Sequence, residues 1–214
     1  MTSSPARVVL LAGPSGSGKS YIARRAGFPV LCLDDFYKDG DDPTVPRTAD
    51  GTDWESPQAW DSAMAVETIT RLAETGRAEV PVYAIGVDQR IATRLLDLAG
   101  SPIFMAEGIF AAEIVRELRD RGLLAEAYAL RRPRTVTFAR RLGRDLTERR
   151  KPPALLVRRG LQLLRAEPAV LRRQVSLGCR AASAARIVRE VRAMAGAPDA
   201  TGTHGEPAIN RQCG

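Results

Sequence analysis

Apolar blocks alternate with glycine-punctuated polar stretches along this chain, and the spacing of the apolar positions changes from block to block. Val8-Val9-Leu10-Leu11-Ala12 is continuously apolar, the pattern of a strand buried on both faces, over about 7–12. A glycine-rich turn follows, and a helix is predicted over about 18–26, ending at Gly27. Pro29 to Leu33 reads as a short buried strand that stops at Asp34-Asp35. Residues 38–60 form a long polar loop rich in Asp, Pro and Gly, a length usually reserved for functional loops. Ser56 as cap and Pro57 as first helical residue open a helix over about 57–75, with Trp60, Met64, Ile69 and Leu72 at helical spacing and Gly76 as its stop.

Residues 79–85 predict a short strand, at a sheet edge because Pro81 has no N–H for a ladder. Ile103 to Ala106 predicts a further buried strand, meeting Glu107-Gly108. A helix over about 111–121 and a strand over about 125–130 come next. Residues 133–150 read as helical and arginine-dense, Pro152-Pro153 breaks that helix, and another follows over about 154–165. A last strand over about 170–178 and a helix over about 181–194 complete the pattern. From 197 onward the composition turns to Gly, Pro, Thr and Asn, which predicts a disordered tail over 197–214.

Strands alternating with helices specify one α/β domain over residues 1–196, a mostly parallel sheet with helices on both faces. Ligands of such sheets collect beyond the carboxyl ends of the strands. Three polar groups fall there: the glycine-rich turn after the first strand, Asp34-Asp35 after the second, and Glu107-Gly108 after the strand at 103–106. All three are expected in one cleft.

The turn itself is Gly13-Pro14-Ser15-Gly16-Ser17-Gly18-Lys19-Ser20, with every fixed position of a G-x-x-x-x-G-K-[ST] phosphate loop filled. Small residues let backbone N–H groups close around phosphate oxygens, and the following helix turns its positive end to the same anion. Lys19 would reach the β- and γ-phosphates and the Ser20 hydroxyl would hold Mg²⁺. These residues therefore predict binding of a nucleoside triphosphate with Mg²⁺.

Phosphoryl transfer also needs a carboxylate for the acceptor and cations over the moving phosphoryl. Asp34 suits the acceptor side, although an Asp-Asp pair also serves as a polar strand end or a cap. Glu107 ends a buried strand, where an acid is costly unless paired or bound to metal; it reads as a Mg²⁺ ligand or as half of a buried salt bridge. Arg140, Arg141 and Arg144 lie within little more than one helical turn, with Arg149, Arg150 and Lys151 beyond. They form either a solvated face, with Arg144 pairing Glu148, or a lid whose guanidiniums stabilise transition-state charge.

Composition narrows the alternatives. The chain has 214 residues and a net charge of +7, with 5% aromatic residues, too few among the arginines for a base-stacking nucleic-acid surface. No nucleic-acid partner is expected. No run approaches the ~20 apolar residues that span a bilayer, so no membrane is expected either. The residues before the first strand lack a signal-peptide pattern. Three widely spaced cysteines, Cys32, Cys179 and Cys213, predict reduced thiols in a cytoplasm. The sole histidine, His204, lies in the polar tail, against histidine-based catalysis. The Asn-Lys-x-Asp element of GTPase switches is missing.

In order along residues 7–151, GPSGSGKS at 13–20, LDDFY at 33–37, DWESPQAWD at 53–61, PVYAIGVDQR at 81–90, AEGIF at 106–110 and RRLGRDLTERRK at 140–151 resemble uridine kinases and the wider phosphoribulokinase/uridine kinase group. The resemblance implies a three-layer P-loop NTPase fold of the nucleoside-kinase type with an arginine-rich lid at about 138–153. It implies ATP and Mg²⁺ as cofactors and a nucleoside or other small hydroxyl compound as acceptor, with uridine or cytidine phosphorylated on the 5′-hydroxyl. On this likeness Asp34 is the general base, Tyr37 lies near the acceptor, Glu55 falls where the ribose hydroxyls are held, and Glu107 is the Mg²⁺-associated acid. Tyr83 and Arg90 fall on base- and sugar-side positions, and Arg141, Arg144 and Arg149 match lid arginines.

The chain departs from the pattern in three places. Tyr83-Ala84 stands for Tyr-Asp, Asp88 stands where a base-contacting histidine is expected, and Lys151 replaces a lid arginine. Exchanging histidine for aspartate replaces a potential donor by an acceptor, so the phosphoryl-transfer half of the pattern is fuller than the acceptor half.

Overall fold

The computed structural model describes residues 5–49, 51–132 and 168–194. Its centre is a five-stranded sheet in the order β2-β7-β1-β8-β9, every neighbouring pair parallel. The strands are β1 (Arg7–Ala12), β2 (Val30–Cys32), β7 (Ile103–Gly108), β8 (Leu124–Leu130) and β9 (Arg180–Ala182). Every residue of β7 and all of β1 after Arg7 are buried, which is why both read as unbroken apolar runs rather than alternating ones.

Helices cover both faces. On one side α1 (Lys19–Ala26) and α5 (Ala184–Met194) pack Ile22, Ala23, Ile187 and Val191 against Val9, Leu11 and Met105. On the other, α2 (Ser62–Thr75) and α3 (Val115–Asp120) pack Ile69, Leu72, Val115 and Leu118 against Val8, Leu10 and Phe104. A helix, α4, runs over residues 168–176 and places Leu171 on this second core. The α/β architecture expected from the alternation of elements is the observed one.

Three boundaries differ from the sequence expectation. The stretch 170–178 is not a strand: α4 occupies most of it, and the last strand is the three-residue β9. Leu171, Leu177 and buried Gln174 mark one helical face, a period that a window of mixed Leu, Val and Arg concealed. The helix expected from 57 is a 3-10 turn at Pro57–Ala59 followed by α2, because Asp61 supplies a second cap, its carboxylate accepting from the Met64 N–H. The strand around 79–85 is half of a separate antiparallel hairpin, β5 (Arg77–Ala84) with β6 (Gln89–Asp97). Two further short strands, β3 (Arg47–Thr48) and β4 (Gly51–Thr52), pair within the long polar loop.

The cysteine expectation is also corrected. Cys32 is disulfide-bonded, whereas Cys179 is free and buried, its thiol pushed up to about 12 by burial. No helix among the described residues is long and apolar enough to cross a membrane. The lid at about 138–153, the helix at 154–165 and the tail at 197–214 lie outside the described residues.

An ion network ties the sheet's far edge to α5. The ring of Tyr128 is fully buried, and its hydroxyl donates to Glu190 Oε2 at 2.8 Å. Arg180 donates to Glu190 and to Glu126, with its guanidinium 5.0 Å from the Tyr128 ring centroid. Arg186 donates to Glu190 Oε1 at 2.6 Å. These donors, Arg180 first, hold the Glu190 carboxyl down at about 2 from its ordinary 4.5. A carboxylate lowered in the folded state contributes stability above its unfolded value and loses it as pH falls toward the folded one. Glu190→Gln is therefore expected to lower the melting temperature at pH 7, and the gap from the parent to close between about pH 4.5 and about pH 2. Thermal melts followed by circular dichroism over that range check this; a gap independent of pH would contradict it.

Candidate active site

β1 delivers the chain into the phosphate loop, and two glycines make the turn possible: Gly16 and Gly18 have φ of 77° and 84°, left-handed conformations that side chains disfavour. Gly18 is also the N-cap of α1, and no side chain caps that helix end. Its first N–H groups are thus left for an outside acceptor such as phosphate. Lys19 is buried and folds back with Nζ 3.4 Å from Pro14 O. Ser17 is buried too, and its hydroxyl lacks a partner.

Glu107 stands beside this loop because of sheet register. In the parallel ladders it lies opposite Leu11 of β1 and Cys32 of β2. Ser20 Oγ donates to its Oε1 at 2.5 Å, and Lys19 Nζ is 3.9 Å from its Oε2. The residue is only 1% exposed, and Oε2 accepts no hydrogen bond. Burial raises the Glu107 carboxyl above its ordinary range; Lys19 opposes that shift and the nearby Asp34 adds to it. A buried carboxylate oxygen with a lysine close by and no donor is a position that a cation fits. Among the described residues, no group of three His, Cys, Asp or Glu side chains is placed to hold a metal alone. Mg²⁺ suits this poverty, since it keeps several waters and takes one or two protein ligands beside substrate phosphates.

Asp34 follows β2 in a 3-10 turn, Leu33–Phe36. Its Oδ1 accepts from the Ile109 N–H at 3.1 Å, just past the end of β7. The close approach needs Gly108: a Cβ there would lie 2.7 Å from Leu33 Cβ and 3.0 Å from Asp34 Oδ1. The phosphate loop, Asp34 and Glu107 therefore lie close together at the carboxyl ends of three neighbouring strands.

A cluster of rings surrounds Tyr37. Tyr37 is within 6 Å of three others, with centroids at 5.7 Å to Trp54, 5.8 Å to Tyr83 and 5.9 Å to Phe110. The Tyr37 hydroxyl donates to Trp54 O at 3.1 Å, while the buried Tyr83 hydroxyl has no partner. Burial raises both phenols, helped by Asp34 at Tyr37 and by Asp88 and Asp39 at Tyr83. Glu55, on the exposed loop, acts on the Tyr37 hydroxyl as well. Trp54 and Phe110 were not singled out from the sequence as site residues, although they lie inside DWESPQAWD and AEGIF.

Arg90 is bonded into the chain at four points. Its Nε donates to Tyr37 O at 2.9 Å, and Nη2 donates to Phe36 O at 3.2 Å and Asp61 Oδ2 at 3.3 Å. Its N–H donates to Asp39 Oδ1. It is a positioning residue, pinning the β5–β6 hairpin to the segment that carries Asp34 and Tyr37. Asp35 adds a second tie: its Oδ1 accepts from the Tyr83 N–H and Oδ2 lies 4.0 Å from Arg94. Burial pushes the Asp35 carboxyl up to about 6, against the pull of that N–H and of Arg94. Arg141, Arg144 and Arg149 lie outside the described residues.

A strand, a glycine-rich phosphate loop and a helix, with an acid on the neighbouring strand end, define a P-loop kinase. The match extends further. Residues 8–152 fit the model of the "Phosphoribulokinase / Uridine kinase family", and the chain belongs to that family. A uridine kinase of Deinococcus deserti is 30% identical over 168 residues, covering 74% of this chain and 77% of that protein. A uridine kinase of Borrelia hermsii is 25% identical over 167 residues, covering 75% and 77%. The Schizosaccharomyces pombe uridine kinase is 30% identical over 151 residues, but this chain spans only 32% of it. Among solved structures, a putative fructose transport system kinase from Silicibacter sp. TM1040 superimposes with a TM-score of 0.59 at 20% identity, covering 85% of this chain and 90% of that one. This last likeness concerns the fold.

Gly108→Ala tests the close approach. Leu33 is fully buried, so the new methyl must displace the turn that carries Asp34. The expected result is a loss of about 1–3 kcal/mol in urea denaturation and at least a tenfold fall in kcat. Gly86→Ala, where nothing lies within 4 Å of the new carbon, is the stability control. Parent-like stability and kcat in Gly108→Ala would refute the packing argument.

Proposed function

We propose that this chain transfers the γ-phosphoryl group of ATP to the 5′-hydroxyl of uridine or cytidine, or of a closely similar small hydroxyl acceptor. One observation carries the reading. Ser20 and Lys19 of the phosphate loop contact Glu107, and Asp34 lies at the adjacent strand end in the same segment as Tyr37, whose ring packs on Tyr83. The uridine kinases among the relatives support the acceptor class.

In this reading the loop N–H groups and the α1 terminus hold the β- and γ-phosphates, and Lys19 neutralises charge on the group in flight. Ser20 and Glu107 would hold Mg²⁺, which supplies charge neutralisation on the β- and γ-oxygens. Asp34 orients the acceptor hydroxyl and takes its proton as oxygen bonds to the γ-phosphorus and the bridging bond to ADP breaks. Tyr37 and Tyr83, with Trp54, present ring faces to the acceptor. Glu55 would hold ribose hydroxyls, Asp88 the base edge, and Arg90 keeps this wall in place. Arg141, Arg144 and Arg149, which the resemblance assigns to a lid, would add positive charge for the phosphates.

The test is a screen of nucleosides and small alcohols for acceptor-dependent ADP release. Release is expected to need an acceptor; equal release without one would point instead to an ATPase or a switch. Asp34→Asn is expected to cut kcat by about 10²–10⁴-fold while ATP affinity, read by calorimetry, stays within about twofold. Near-parent turnover would remove Asp34 from the mechanism.

Glu107→Gln separates folding from cation binding. It keeps an acceptor for Ser20 and removes a charge that burial disfavours, so the ligand-free melting temperature is expected to stay near or above the parent's. The gain in ATP affinity on adding Mg²⁺ is expected to fall by about 10-fold or more. An unchanged Mg²⁺ effect would show that the cation is held elsewhere.

A further inference from the structure

Gln174 is a buried side chain with no part in the phosphate loop, the acidic positions or the ring cluster. It is 3% exposed, and neither the oxygen nor the nitrogen of its carboxamide has a hydrogen-bond partner. A donor and an acceptor left unpaired in the interior oppose folding. The helix that carries them, α4, is nevertheless fixed. Leu171 packs on the second core, and Arg173 donates with Nε and Nη2 to the two carboxylate oxygens of Glu113 at 3.1 and 3.0 Å. Gln174 O accepts from the Cys179 N–H at 3.0 Å. The amide is thus held in an unsatisfied place by contacts that its own side chain does not make.

Gln174 lines a half-enclosed cavity of about 180 Å³. Pro14, Leu130, Pro168 and Leu171 give the cavity apolar walls, and Arg131 and Arg132 add charge just past the end of β8. Pro14 belongs to the phosphate loop, and the first residue of that loop abuts the same strand end: a Cβ at Gly13 would lie 3.4 Å from Leu130 Cβ. A space of this size takes one planar ring system rather than a whole nucleotide. In the sheet, β8 neighbours β1 on one flank, and β7 and β2 lie on the other. Asp34 and Glu107 therefore stand on one side of the phosphate loop and the cavity on the opposite side. A triphosphate lying over the loop with its transferred end toward Asp34 directs its other end toward β8.

A carboxamide presents a donor and an acceptor side by side. Nucleobase edges present the complementary pair; adenine sets its N6 amine beside a ring nitrogen. Two hydrogen bonds to such an edge satisfy both orphaned atoms of Gln174, while apolar walls and guanidinium planes suit the ring faces. Resting on the reading of the chain as a kinase that uses a nucleoside triphosphate, we propose that this cavity is a nucleobase pocket and that Gln174 reads the base edge. The sheet order makes the base of the phosphoryl donor the expected occupant.

The experiment is calorimetry on the full-length chain with Mg²⁺, for the parent, Gln174→Leu and Gln174→Glu. The probes are ATP, GTP, inorganic tripolyphosphate and the triphosphate of purine riboside, which lacks the N6 amine. The parent is expected to bind ATP about tenfold or more tighter than purine riboside triphosphate, because the missing amine leaves the amide unpaired. Gln174→Leu is expected to weaken ATP by about tenfold or more and to leave tripolyphosphate within about twofold. Its ligand-free melting temperature is expected at or above the parent's, since leucine removes two unpaired polar atoms. Gln174→Glu offers acceptors only, so it is expected to shift preference from ATP toward GTP, whose base edge presents two adjacent donors. Loss of uridine or cytidine binding in Gln174→Leu, with ATP unchanged, would uphold the pocket with the acceptor's base as occupant. Equal losses for ATP and tripolyphosphate would make Gln174 a support of the phosphate loop and overturn the inference. Parent-like affinity of Gln174→Leu for every nucleotide and nucleoside would overturn it as well. The kinase reading fails separately: a parent without acceptor-dependent ADP release sinks it and leaves these affinity ratios standing.

Discussion

The site is organised around a carboxylate placed where carboxylates are expensive. Glu107 belongs to a central strand with neighbours on both sides and is cut off from water. An isolated ionised carboxylate in such a place would be strongly disfavoured, and stripping one partner from a buried pair typically costs 3–5 kcal/mol. The chain meets this constraint with the two residues that also contact nucleotide in a phosphate loop, Lys19 and Ser20. The compensation is partial, as the upward shift of the carboxyl and the unpartnered Oε2 both indicate. An under-satisfied acid of this kind is stable enough to fold and still unsatisfied enough to favour a cation brought with substrate phosphates.

The remaining geometry follows from that placement. Parallel register fixes Glu107 against Leu11, one residue before the chain enters the phosphate loop through Ala12. The same strand ends in Gly108, whose bare α-carbon lets the turn after β2 close on it and brings Asp34 to the Ile109 N–H. Trp60 locks the turn from below, its indole N–H donating to Leu33 O at 2.7 Å in the core. Asp34 and Glu107 are therefore connected through three adjacent strand ends and a few buried side chains. None of them rides on a long loop.

This is why the phosphoryl half of the site was readable. A phosphate loop is contiguous, its glycines are needed for positive φ, and the rule that ligands gather at strand ends converts sequence order into spatial proximity. Asp34 and Glu107 were reachable by that route. The acceptor wall was not, because it is assembled from distant side chains. Tyr83 reaches Tyr37 only once β5 pairs with β6, and β6 escaped notice: Gln89 to Asp97 is half polar, lies on a free edge and shows no sustained apolar run. Trp54 and Phe110 looked like ordinary loop and core residues until the ring distances were known. Arg90, expected on the base and sugar side, also bonds two backbone carbonyls and Asp61, contacts that depend on carbonyl positions and leave no mark in sequence. Similarly, α4 was taken for a strand because its apolar residues fall on one side only when wound at helical pitch.

The two halves also differ in how freely they can change. Replacing Gly108 disturbs the turn that closes on the strand end, so chemistry and fold are constrained together there. Position 88 is free of that coupling. Its backbone is fixed by its own carbonyl, through the Gly40 N–H, and by a left-handed turn that aspartate, asparagine and histidine all tolerate. The side chain can therefore be exchanged with the hairpin left in place. The resemblance to uridine kinases expects histidine there, and this chain has aspartate without any other adjustment visible in the turn. Exchange at such a position leaves the phosphate loop, Glu107 and Gly108 untouched.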